Sequence, residues 1–374
     1  MMADTSKIEW CDATWNPITG CTMVSAGCTN CYAMGLAATR LRQHPSRAGL
    51  TRDAGGRAVW TGEVRLNEQW LDQPLQWKRP RMIFVCAHGD LFHESVPDQW
   101  IDRVFAVMAL APQHTFQVLT KRPERMLAYL LAEPDTLRQR WFDAVPTGKW
   151  SVSVAEAFAA IHHAAPDATR ALYHRAKPAW PLPNVWLGTS IEDQATADQR
   201  IGPLLATPAA VRFVSAEPLL GEVRLDRIVP TANTHNRPVD ALRGGRLTTG
   251  GRTGIDWVIV GGESGQNARP MHPEWAQSLR DQCAVAFVEF FFKQWGEWAP
   301  AMQIDGVTAI ATAPDKYRQF APPHRVRVHG GSLDMQCFEA LPKHHGIVRV
   351  GKKAAGRLLD GREWNQMPGK DAAR

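Results

Sequence analysis

The sequence predicts an α/β fold: a full or partial parallel βα (TIM-like) barrel with insertions and a C-terminal extension. Three observations predict it. Short apolar runs rich in Val, Ile and Phe recur along the chain, and each ends in a polar or glycine-containing cluster, as buried parallel strands do. Helix-like stretches lie between the runs, the alternation of a βα sheet. Right-handed crossovers then put every strand C-terminus on one face, where βα barrels carry their chemistry. A doubly wound open sheet is the alternative; its clusters would meet at a switch point instead.

The elements follow in order. Arg81–Ala87 (RMIFVCA) precedes His88–Glu94, and His114–Leu119 (HTFQVL) precedes Thr120, Lys121 and Arg122. Asn184–Leu187 (NVWL) leads into Gly188–Asp193, and Val211–Val214 (VRFV) into Ser215–Pro218. Trp257–Val260 (WVIV) leads into Gly261–Gly265, and Ala286–Phe292 (AFVEFFF) into Lys293–Trp295. Two weaker strands lie near Thr14–Pro17 and Glu63–Leu66. Helices are expected over Ala33–Leu41, Pro97–Ala111, Pro123–Ala132, Gln194–Leu205 and Pro273–Cys283, with Pro97 suited to a first helical turn. Insertions fall at 43–58, 133–183 and 223–254, the last ending in a basic, glycine-rich loop. The barrel should occupy 1–295 and a basic extension 296–374.

Composition bounds the classes. A chain of 374 residues, 44% hydrophobic and 21% charged, is globular rather than disordered or fibrous. It has no apolar run of about 18 residues, and MMADTSKIEWCD has no signal-peptide core. Seven cysteines, three of them clustered, do not read as a disulfide framework, so a reducing cytoplasm is expected. The net charge of +6 sits entirely in the last sixty residues, which carry 12 Lys+Arg against 6 Asp+Glu. Such a tail either attracts nucleic acid by counterion release or is simply a solvated surface.

The chemistry-bearing motif is NPITGCTMVSAGCTNCY. Cys21, Cys28 and Cys31 are spaced C-x6-C-x2-C, and thiolates so placed select zinc or an iron–sulfur centre. Closed structural zinc sites take four ligands, whereas three leave a position open; Cys11 is the conceivable fourth. Polar groups at the strand ends supply the other candidates. Asp90, His93 and Glu94 offer acid, base and ligand capacity, with His93 expected to titrate near neutrality. Lys121 and Arg122 offer fixed charge to a carboxylate or phosphate, or an ion pair with Glu94 or Glu217. Ser190, Glu192 and Asp193 follow one strand; Ser190 and Glu192 are candidate cofactor-binding residues, while the two acids also favour a helix N-terminus. Ser215 and Glu217 follow another and suit an anchoring role. Gly261 and Gly262 let backbone approach a ligand, with Glu263 beside them. Lys293 follows an apolar wall and is either desolvated or paired with Glu263. Of fifteen tryptophans, Trp100, Trp186, Trp257 and Trp275 read as packing, while Trp295 and Trp298 are candidates for stacking on bases.

The segments IEWCDATWNPITGC, GCTNCYA, DLFHE, HTFQVLTKRPERM, NVWLGTSIEDQ, VRFVSAEPLLG, WVIVGGESG and FFFKQWG, with LLDGREWNQMP near the end, resemble a phage and prophage family named for phage gene products thirty-seven and sixty-eight. That family in turn resembles radical S-adenosylmethionine (SAM) enzymes. The resemblance implies a βα barrel with a [4Fe–4S] cluster on Cys21, Cys28 and Cys31 and SAM at the open iron. It implies cleavage of SAM to a 5′-deoxyadenosyl radical acting on a nucleic acid or nucleotide, with an outside electron donor. The first cysteine gap is six residues where those enzymes have three, and Asn30 replaces their aromatic residue before the last cysteine. Gly261-Gly262-Glu263 has the letters of their SAM-binding stretch but follows a late strand. Two alternatives stay open: a non-catalytic nucleic-acid-binding protein with structural zinc on the same cysteines, and phosphodiester hydrolysis by the Asp90, His93 and Glu94 cluster.

Overall fold

The structure, a computed structural model, describes residues 6–144, 179–231, 237–244, 253–300, 324–328, 331–337 and 346–369. Seven strands form one sheet: β1 (Ala13–Trp15), β2 (Met82–Val85), β3 (Thr115–Thr120), β4 (Val185–Ile191), β5 (Val211–Ala216), β6 (Trp257–Gly261) and β7 (Glu289–Gln294). Their spatial order is their chain order, and the paired strands run parallel. A doubly wound sheet reverses its order at a switch point; this one does not. The fold is therefore α/β of the partial TIM-like barrel kind. The weak strand at Thr14–Pro17 is realised as β1. The one at Glu63–Leu66 is outside this sheet: Arg65–Leu66 pairs with Ile18–Thr19 instead.

The crossover helices are α1 (Tyr32–Ala38), α2 (Asp98–Leu110), α3 (Pro123–Leu130), α4 (Pro134–Asp143), α5 (Gln194–Ala206) and α6 (Pro273–Ala286). Pro97 lies just outside α2, extended at its N-cap (ψ 150°), rather than in the first turn. Asp193 caps α5, its Oδ1 accepting from the Thr196 amide at 2.9 Å.

Contacts divide the chain into two compact bodies. The first comprises Met1–Met23, Ala33–Thr189 and Pro203–Arg212; the second comprises Val24–Tyr32, Ser190–Gly202 and Phe213–Arg374. In the first, β3 is buried on both faces, as interior parallel strands are. Phe105 of α2 stacks on Trp141 of α4 at 5.1 Å and tilts on Tyr129 of α3 at 5.5 Å. Tyr129 donates to Asp102 at 2.6 Å and accepts from Trp141 Nε1 at 2.8 Å, so one buried hydroxyl ties the three helices together.

In the second body Phe213, Trp257 and Phe291 form an aromatic row across β5, β6 and β7, with centroids 5.7 and 6.1 Å apart. Residues near the C-terminus cover the outer side of β7. The Phe292 amide donates to Trp364 O at 2.9 Å, and Phe291 bridges Asn365. That edge is thus paired rather than left open to another chain. The extension also supplies a four-stranded antiparallel sheet from Trp298–Pro300, His324–Val328, Gly331–Cys337 and Gly346–Arg349. Much of the predicted 133–183 insertion, the basic part of the 223–254 insertion and much of the basic tail lie outside the described residues. Among the described residues no helix is long and apolar enough to cross a membrane.

Candidate functional site

Polar side chains follow the strands wherever the sequence placed them, and they assemble into one network in the first body and two in the second.

The first network is centred on Arg122, at the end of β3 and 5% exposed. Its Nε donates to Glu94 Oε1 at 2.7 Å and its Nη1 to Asp90 Oδ2 at 3.0 Å. Nη1 also reaches Cys21 Sγ at 3.7 Å, and Nη2 donates to the Thr22 hydroxyl. Asp90 is saturated. It accepts from the Phe92 amide, Thr120 Oγ1, the Lys121 amide and Arg122 at 2.7–3.2 Å. Lys121 thus contributes its backbone to this network. Glu94 is the solvent-facing carboxylate here. Burial works to raise its pKa, but the Arg122 hydrogen bond and charge outweigh it and hold the group low.

His93 is 1% exposed. Its Nδ1 accepts from the Ser95 amide at 3.1 Å and its Nε2 lies 3.0 Å from Thr22 Oγ1. An N–H facing Nδ1 requires that nitrogen to be unprotonated, so the neutral ring carries its proton on Nε2. Desolvation and then the Arg122 charge push its pKa below the ordinary histidine value. In the neutral ring, His93 is thus a buried donor to Thr22, and its titration lies below the ordinary histidine value.

In the second body two buried carboxylates grip the cysteine loop. Glu192, fully buried after β4, accepts from Arg200 Nη1 at 3.0 Å and from Ser25 Oγ at 2.9 Å. Gly27 passes so close to it that a Cβ there would overlap the Glu192 side chain. Ser190, also buried, presents its carbonyl to Arg200 at 2.8 Å. Glu263, 6% exposed after β6, accepts from Asn30 Nδ2 at 3.0 Å and from Arg269 Nη2 at 2.6 Å. Arg269 also donates to Ala26 O at 2.9 Å. Burial acts to raise the Glu263 pKa, but the bonds from Arg269 and Asn30 prevail and lower it. Asp193 caps α5, and the neighbouring Glu192 carboxylate is taken by Arg200 and Ser25.

The third network lies at the ends of β5, β6 and β7. Ser215 Oγ donates to Glu217 Oε2 at 3.0 Å, and Lys293 Nζ pairs with Glu217 Oε1 at 3.0 Å. Gly261 makes room for Glu217, whose Oε1 occupies the space a Cβ would take. Lys293 therefore pairs with Glu217 rather than with Glu263, which Arg269 holds. Gly262 bonds to Gln294 through both its amide and its carbonyl.

Cys21 belongs to the first body, and Cys28 and Cys31 to the second. Cys28 is buried in a short 3-10 turn, and Cys31 immediately precedes α1. None of these three is in a disulfide. Cys11 instead donates to Ser6 Oγ at 3.2 Å. Three thiols within eleven residues of sequence are the donor chemistry that zinc and iron–sulfur centres select. Among the described residues, no three His, Cys, Asp or Glu side chains are already grouped as a metal site.

Trp295 and Trp298 are not stacking platforms. They are 2% and 4% exposed, and each indole N–H is spent at 2.8 Å on a carbonyl, of Leu358 and Ala268 respectively. Sequence reading missed Ser25, Asn30, Arg200 and Arg269. Arg200 lies on α5 and Glu192 lies before the α5 cap, so helix periodicity does not pair them. No local pattern marks Asn30 or Arg269.

Sequential strand order and charged strand ends make this a partial βα-barrel protein with a cysteine-bearing loop after β1. It belongs to the family described as protein of unknown function (DUF5131), whose model matches residues 5–368. No curated protein and no solved structure matched the chain.

Proposed function

We propose that the chain is a radical SAM-type iron–sulfur enzyme, with Cys21, Cys28 and Cys31 as the ligands of a [4Fe–4S] cluster. The observation that carries the reading is the grip on the cysteine loop. Two buried carboxylates, each with its own arginine, are spent on Ser25, Ala26 and Asn30. Buried ion pairs contribute little net stability, so their value here is to fix the loop that bears the thiols. The bound cluster would supply the electron that cleaves SAM to methionine and a 5′-deoxyadenosyl radical.

The chain's own residues do the rest. Glu192 and Glu263 orient the loop. Glu217, bonded to Ser215 and Lys293 over Gly261, would be the strand-end group that meets SAM or substrate. Lys293 Nζ, partly open to solvent beside Glu217, is a proton-bearing group at the same place. A nucleic acid or nucleotide is the substrate class in this reading, drawn by the basic tail.

The test is anaerobic purification followed by an absorbance spectrum and iron, sulfide and zinc analysis. Broad absorbance near ~400 nm with roughly four irons per chain is expected, as is loss of iron in Cys28→Ala and Cys31→Ala. SAM plus a reductant should then yield 5′-deoxyadenosine. A colourless protein with about one zinc, or iron unchanged in both variants, overturns the proposal. The zinc result together with salt-dependent DNA binding would establish the binding alternative.

A further inference from the structure

Cys21 is set apart from the other two cysteines by what holds it. Its sulfur takes a hydrogen bond from a guanidinium that is buried and locked in place. Glu94 fixes Arg122 Nε, Asp90 fixes Nη1 and Thr22 fixes Nη2. Asp90 in turn is fixed by the Thr120 hydroxyl at 2.7 Å and the Lys121 amide at 3.2 Å. The Arg122 amide is held by Thr120 Oγ1 at 2.9 Å. The Nη1 aimed at Cys21 Sγ, at 3.7 Å, is therefore part of a rigid assembly at the end of β3.

We propose that Arg122 is a positioning residue for the thiolate centre, and that its N–H···S bond to Cys21 sets that centre's reduction potential. This rests on the cluster reading above. Hydrogen bonds and positive charge at a ligand sulfur draw electron density from it and favour the reduced, more negative centre. Glu94 opposes this from the other side of the guanidinium, with 63% of its side chain exposed. The two residues therefore act on the potential with opposite signs.

The experiment uses the full chain, purified anaerobically and titrated with dithionite while the centre is followed by electron paramagnetic resonance. Arg122→Lys keeps a charge but loses the planar fork, and should lower the midpoint potential at unchanged iron content. Glu94→Gln removes one negative charge and leaves the N–H···S bond, and should raise it. A loosened loop would move both variants the same way, so shifts of one sign overturn the proposal. So do two unchanged potentials. If Arg122→Lys fails to fold, an unchanged or lowered potential in Glu94→Gln overturns it and a raised one supports it. A wild-type chain without iron overturns the cluster reading itself and this inference with it. Normal iron with unmoved potentials overturns the Arg122 role alone.

Discussion

Asn30 donates from its Nδ2 to Glu263 Oε2 at 3.0 Å, one residue before Cys31 and 233 positions away along the chain. A carboxylate at the end of β6 thereby fixes a loop that follows β1. Its charge is balanced by Arg269, whose guanidinium also reaches the loop at Ala26.

The first prediction follows from that pair. Glu263→Gln leaves Arg269 without its counter-charge and should destabilise the protein by roughly 2 kcal/mol at neutral pH, between the values for exposed and buried pairs. The folded-state pKa of Glu263 is held below its ordinary 4.5. Its contribution is therefore present above that value and is lost as pH falls through the folded pKa. Urea unfolding of wild type and Glu263→Gln should show a gap near pH 7 that narrows below about pH 4. A gap independent of pH would show that the carboxylate's charge is not what matters.

A second pH signature belongs to His88. Burial and the Arg47 charge push its pKa down to about 4, and Arg47 Nε donates to its Nδ1 at 3.4 Å, which requires that nitrogen to be unprotonated. The unfolded ring takes its proton near 6.5, so protonation favours unfolding. Stability from this group is complete above about pH 6.5 and is lost as pH falls toward 4, by about 3 kcal/mol at about 1.4 kcal/mol per pH unit. Nuclear magnetic resonance should show a ring that stays neutral at pH 5. His88→Gln should flatten the stability profile in that window, and an unaltered slope would rule His88 out as its source.

Strand positions, strand ends and most helix starts were legible because they are local. Apolar runs such as RMIFVCA and WVIVGGE carry their own period and punctuation. Asp90, Glu94 and Arg122 were legible as polar residues just past strands. Their partners were not, because Arg122 meets Cys21 and Glu263 meets Asn30 over separations of 101 and 233 residues. Trp295 and Trp298 misled for a related reason. Each looks like a strand-end aromatic, but tertiary packing buries both rings and satisfies their N–H groups. The Glu63–Leu66 strand had the right local pattern and the wrong partner.

Gly262 and Gly35 make a contrast. A methyl group on Gly262 would overlap the Trp295 carbonyl, and that backbone cannot swing aside because β6 and β7 are paired there. Gly262→Ala should cost about 2–3 kcal/mol, the range of overpacked cores. Gly35 lies inside α1 with no atom within 4 Å of a new Cβ. Gly35→Ala should stabilise by about 0.5–1 kcal/mol through helix propensity. Thermal melts of the two variants should move in opposite directions, and a shared sign would refute the close approach at Gly262.

Phe287 ends α6 in the left-handed region, with φ of 56°, and its residue surface is 91% exposed. Its amide bonds back to Ala284 O, and the Val288 amide closes on Cys283 O at 2.9 Å, the pattern of a helix C-terminus that favours glycine. A phenylalanine here bears the cost of left-handed backbone and gains little burial in return. Phe287→Gly removes that cost while forfeiting almost no packing, so it should stabilise the protein by about 1 kcal/mol. Phe287→Ala keeps the Cβ and should give little of that gain. The two variants compared by urea unfolding decide it. If alanine stabilises as much as glycine, removal of exposed aromatic surface is the cause and the backbone argument fails.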